Sequence, residues 1–71
     1  MKKGKTKSST IVASYESDLS LVLNWLRLNK AISATGEIYE TKNGQYAIRV
    51  KHKKPIKTMV SDKFGTFAIV K

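Results

Sequence analysis

At 71 residues the chain is one domain's worth of protein, and a domain this small buries only about 60% of its unfolded surface, so its core must be used fully. It has no cysteine and a single histidine, which excludes a disulfide framework, a thiolate nucleophile and a cysteine- or histidine-rich metal centre. Fourteen lysines and arginines against five acids give a net charge of +9, a field that draws polyanions: nucleic acid first, then anionic membrane surface or acidic protein patches.

Residues 1–9, MKKGKTKSS, form a polar segment without an apolar anchor after the methionine, and they read as a disordered basic arm. Lys2, Lys3, Lys5 and Lys7 in such an arm can follow a phosphate backbone without fixed geometry. Ile11, Val12 and Ala13 are too short a run for the apolar region of a signal peptide, and nothing approaches the roughly 20 apolar residues of a membrane span. The expected compartment is the cytoplasm, with no membrane partner. Residues 10–71 then make a single folded domain, opening with a short β-branched strand at 10–14, TIVAS.

Residues 17–36, SDLSLVLNWLRLNKAISATG, carry the strongest periodicity in the chain. Leu19, Val22, Leu23 and Leu26 mark one helical face at three- and four-residue spacing, while Leu21, Trp25, Leu28 and Ile32 mark a second. Ser17 is placed to cap the start, with Glu16 and Asp18 at the positive end of the dipole, and Gly36 to end it. The two stripes together span about 220° of the wheel, whereas a helix on one sheet needs a little over about 100°. The excess predicts an additional contact through Leu21, Trp25, Leu28 and Ile32, with the amino-terminal segment, a second copy of the chain in a homodimer, or another protein.

Asn43 and Gly44 sit between alternating runs, a strong hairpin signal. If they are the two loop residues, Thr41 faces Tyr46, Glu40 faces Ala47 and Tyr39 faces Ile48. One face then holds Tyr39, Thr41, Tyr46, Ile48 and Val50 against the helix, and the other holds Ile38, Glu40, Lys42, Ala47, Arg49 and Lys51. The lysine run 51–57 is broken by Pro55, which cannot donate to a ladder and marks a connection. Residues 56–61 read as a further strand, 61–65 as a turn, and 66–71 as a last strand with Phe67 and Ile69 inward. The fold class is α+β, in the order β-α-β-β-β, with one helix on one face of a small antiparallel sheet.

Catalysis is not expected. Glu16 and Asp18 belong to the helix start, Glu37 and Glu40 fall on opposite faces of a strand, and Asp62 lies in a turn. His52, flanked by lysines, reads as a solvated surface residue, and the scattered glycines form no phosphate loop, so neither metal nor organic cofactor is implied. The charge distribution does carry a functional expectation. Lys42, Arg49 and Lys51 project from the hairpin face away from the helix, and Lys53, Lys54 and Lys57 extend it into a positive stripe that contacts phosphates with little sequence specificity, on RNA or on single-stranded or duplex DNA. With Tyr39 and Tyr46 assigned to the core, Phe64 in its turn is the leading candidate for an exposed stacking surface, with capping of the core as its alternative role. The order of elements fits none of the small nucleic-acid modules: the RNA-recognition motif needs two helices and an aromatic sheet signature, helix-turn-helix a second helix, and a zinc finger its ligands. The rival expectation is an inhibitor or adaptor of phage or antitoxin scale that blocks an acidic or nucleic-acid-processing protein through its broad helix stripe.

Overall fold

The computed structural model describes residues 6–65 and 67–70. Seven elements follow in order: β1 (Lys7–Ala13), α1 (Glu16–Leu28), β2 (Ile32–Thr35), β3 (Tyr39–Glu40), β4 (Tyr46–His52), α2 (Ile56–Phe64) and β5 (Ala68–Val70). The class is α+β, as the periodicities predict. The strands form one antiparallel sheet in the order β2-β4-β1-β5. β1 occupies one whole edge of β4, so β2 and β3 share the other, end to end. Both helices lie on one side. Their buried residues, Leu19, Val22, Leu23 and Leu26 from α1 and Ile56 and Val60 from α2, join Ile11, Ala13, Ile48 and Val50 in a single core.

The helix from the apolar double stripe is shorter than its sequence pattern. α1 stops at Leu28, where Lys30 turns into the left-handed region at φ 54 and closes a Schellman motif. The Ala31 amide donates to the Leu26 carbonyl at 2.9 Å and the Lys30 amide to that of Arg27 at 3.0 Å. Gly36 lies beyond β2 and ends no helix. At the other end Tyr15 is the extended residue before the first turn, and no side chain caps the helix; Ser17 sits inside it.

Residues 56–61 are not a strand but most of α2. Ile56, Met59, Val60 and Phe64 recur at helical spacing, Pro55 stands where a helix tolerates it, and Gly65 at φ 87 follows the last turn. This second helix explains the wide stripe on α1: Phe64 meets Trp25 edge-to-face, with ring centroids 5.5 Å apart, and Phe67 meets Phe64 at 6.4 Å. Ile32 belongs to β2 and is buried in the core. Leu21 and Leu28 remain exposed.

The hairpin turns at Asn43 and Gly44, but its register differs by one residue from the two-residue-loop expectation. Only Gly44 of the pair has positive φ, and the Gly44 amide donates to the Thr41 carbonyl while the Thr41 amide donates to that of Gln45 at 2.7 Å. That is a three-residue loop with a type I turn and a glycine bulge. The Thr41 hydroxyl holds it, accepting from the Asn43 and Gln45 amides. Tyr39 therefore pairs with Ala47, not Ile48, and a one-residue shift moves every β3 side chain to the opposite face.

β1 begins at Lys7, so the folded part starts inside the expected arm; Lys2, Lys3 and Lys5 lie outside the described residues. The last strand is present as β5 and pairs with β1 through Ile11 and Ile69, while Thr66 and Lys71 lie outside the described residues.

Candidate nucleic-acid interface

Along β4 the side chains alternate. Ile48, Val50 and His52 turn toward the helices, while Ala47, Arg49 and Lys51 turn away, onto a face that no helix of the described residues covers. Across the ladder from Arg49 stands Thr10, and across from Lys51 stands Ser8, so neither cation faces a carboxylate on β1. β5 adds Ala68 and Val70 to the same surface, both exposed. The bulged hairpin adds Tyr39, directly opposite Ala47 and 50% exposed. Arg49, two residues along β4 from Ala47 on the same face, is the diagonal neighbour of Tyr39 in this register. The open face is thus a shallow platform of small side chains with one aromatic edge and two free-standing cations.

The remaining expected cations do not continue this face as one stripe. Lys42 is exposed at the hairpin tip, the opposite end of β4 from Lys51. Lys53, Lys54 and Lys57 gather instead with Lys7 around a cavity of about 570 Å³ at the other end of the sheet, between β1, the β4–α2 turn and the start of α2. Ser9, His52, Ile56 and Ile69 also line it.

His52 is 6% exposed, contrary to the expectation of a solvated residue. The alternation of Ile48, Val50 and His52 turns it inward despite its lysine neighbours. Its Nδ1 lies 2.7 Å from the Lys54 carbonyl and its Nε2 2.8 Å from the Ser9 hydroxyl oxygen. A carbonyl oxygen only accepts, so Nδ1 carries the proton, and in the neutral ring Nε2 accepts from the Ser9 hydroxyl. One imidazole therefore ties β1, β4 and the lysine turn together, and no buried side-chain polar atom among the described residues lacks a partner.

No family model, curated protein or solved structure matches this chain. Geometry alone therefore carries the functional reading. Among the candidate site residues, sequence reasoning misplaced Tyr39 and His52 and assigned Phe64 to an exposed turn, whereas it sits on α2 against Trp25; for His52 the two-residue alternation was signal enough, whereas Tyr39 depended on the turn type. Of the second helix stripe, Trp25 and Ile32 are taken up by intramolecular packing, and Leu21 and Leu28, seven residues apart and thus on one side of α1, are 59% and 82% exposed. No helix of the described residues is long and apolar enough to cross a membrane.

Proposed function

We propose that the protein is a non-enzymatic binder of single-stranded nucleic acid that uses the open face of its sheet. The observation that carries this reading is Tyr39, exposed on the same sheet face as Arg49 and Lys51 and not in the core. An aromatic ring offers a stacking surface to any base, and neighbouring cations hold the backbone, a combination that binds single strands with little sequence preference. The net charge of +9 supplies the long-range attraction.

The topology lends support by analogy. With β2 and β3 sharing one edge, the chain runs β-α-β-β-α-β with both helices on one face, the split arrangement that the RNA-recognition motif also uses. The second helix removes one of the two objections to that comparison. The other stands, since the open-face residues of the two central strands, Ser8, Thr10 and Val12 on β1 and Ala47, Arg49 and Lys51 on β4, include no aromatic. The platform is correspondingly a weaker, more electrostatic one.

Fluorescence anisotropy with labelled single-stranded RNA, single-stranded DNA and duplex DNA, at low and near-physiological salt, tests the reading. Single strands are expected to bind more tightly than duplex and to remain bound at the higher salt. Equal, low-salt-only binding of all three would reduce the charge to a generic attraction.

Leu21 and Leu28 favour a second reading in which α1 contacts another protein or a second copy of the chain. Sedimentation of the parent and of Leu28→Glu at high micromolar concentration separates the two: a dimer abolished by the substitution supports self-association, and monomer in both excludes it.

A further inference from the structure

We infer that the cavity rimmed by Lys7, Lys53, Lys54 and Lys57 is a phosphomonoester site, and that it holds the terminal phosphate of a strand lying on the open sheet face. The second half rests on the single-strand reading above; the first does not.

The charge pattern selects an anion. Four lysines contribute to the lining, and none of the five acidic residues does. A second cavity, between α1 and residues 36–38, is lined by Glu16 and Glu37 as well as Arg27 and has no such bias. The number of cations selects a chain end. An internal phosphodiester carries one negative charge, whereas four lysines line this cavity together. A terminal monoester carries a charge of about −1.5 to −2 near neutral pH and three acceptor oxygens, so several ammonium groups can bind it at once. Pro55 and Ile69 offer apolar surface to the sugar that follows.

The cavity is built, not a chance meeting of surface lysines. His52 Nδ1–H donates to the Lys54 carbonyl, which fixes the turn that presents Lys53 and Lys54, and Ser9 anchors the same ring to β1. It lies at the Lys51 end of the open face. Ser8 lines the cavity and is the ladder partner of Lys51, while Lys7 and His52 pair on the helix side, so a backbone passing Arg49 and Lys51 along β4 reaches the cavity by turning over this end of the sheet.

The test uses the full chain in two arms at about 0.15 M salt. In the first, the isotope-labelled protein is titrated with a nucleoside monophosphate and with the matching nucleoside. The monophosphate is expected to shift the amide resonances of Ser9 and of residues 52–57, the nucleoside to leave them unmoved, and Lys53→Gln/Lys57→Gln to lose the response. No response, or the same response to both compounds, overturns the phosphomonoester site.

In the second arm one oligonucleotide sequence is compared with a phosphate at either end and with hydroxyls at both. A phosphorylated end is expected to tighten binding about tenfold, the scale of one well-made charge-assisted hydrogen bond, and the double variant to erase that difference while still binding the hydroxyl-ended strand. Equal affinities overturn the strand-end assignment and leave the open face as the binding surface. A response to the monophosphate with no oligonucleotide binding overturns the open-face reading instead and assigns the cavity to a free phosphomonoester.

Discussion

Ser9 and His52, on neighbouring strands but 43 residues apart in the sequence, share a buried hydrogen bond of 2.8 Å. Ser9→Ala would leave the imidazole Nε2 of the buried His52 without its partner. A loss of about 1–3 kcal/mol is expected, measured by urea denaturation. Unchanged stability would mean that the bond contributes nothing net. Long-range proton–nitrogen correlation spectra of the neutral ring should also show Nδ1 as the protonated nitrogen, because the Lys54 carbonyl can only accept.

Lys30 closes the Schellman motif in a conformation that disfavours a Cβ by about 1–2 kcal/mol. Glycine there relieves that strain but gives back about 0.5–1 kcal/mol through the freer unfolded chain. Lys30→Gly is therefore expected to raise stability by up to about 1 kcal/mol, and Lys30→Val to lower it, in the same denaturation experiment. If both variants lose stability equally, the left-handed turn is not what ends α1.

The open face makes a two-part prediction, because stacking and phosphate binding respond differently to salt. Arg49→Gln/Lys51→Gln should weaken binding of every single strand and flatten its salt dependence by about 0.7 in slope for each phosphate that is no longer neutralised. Tyr39→Ala should lose about 1–3 kcal/mol of affinity with the slope unchanged. Anisotropy titrations across a salt series read both. A Tyr39→Ala variant that binds like the parent would remove the aromatic from the interface.

Trp25 is the only tryptophan, so its packing against Phe64 can be watched directly. Phe64→Ala uncovers the indole. Its emission is expected to shift to longer wavelength, with a stability loss of at most about 3 kcal/mol because Phe64 is only half-buried. An unshifted emission would mean that α2 does not cover this side of α1.

Individual elements of the fold were legible where one period dominated. The first series of leucines and valine in α1, the β-branched run of β1 and the Asn-Gly turn each have a single physical reading. Residues 56–61 did not, since Ile56, Thr58 and Val60 alternate like a strand while Ile56, Met59, Val60 and Phe64 recur like a helix; only the longer window, with Pro55 before and Gly65 after, decides it. Tyr39 shows a different limit. The Asn-Gly pair fixes that a hairpin turns there but not whether two or three residues span it, and that one residue decides which face the tyrosine occupies. The candidate site was legible as a set of cations and not as a shape, because the grouping of Lys7 with Lys53, Lys54 and Lys57 depends on β1 lying beside β4, which local pattern does not specify.

That same pairing has a consequence for how the molecule assembles. Ile11, in the middle of the sheet, finds its neighbours Ile48 and Ile69 only in the later part of the chain. β1 therefore waits with both edges bare until β4 arrives, and folding must close a long loop before the central ladder rewards it. This is a topology for slow, all-or-none folding. An interruption of synthesis before Tyr46 would leave the central strand with neither ladder partner and open to pairing with another chain.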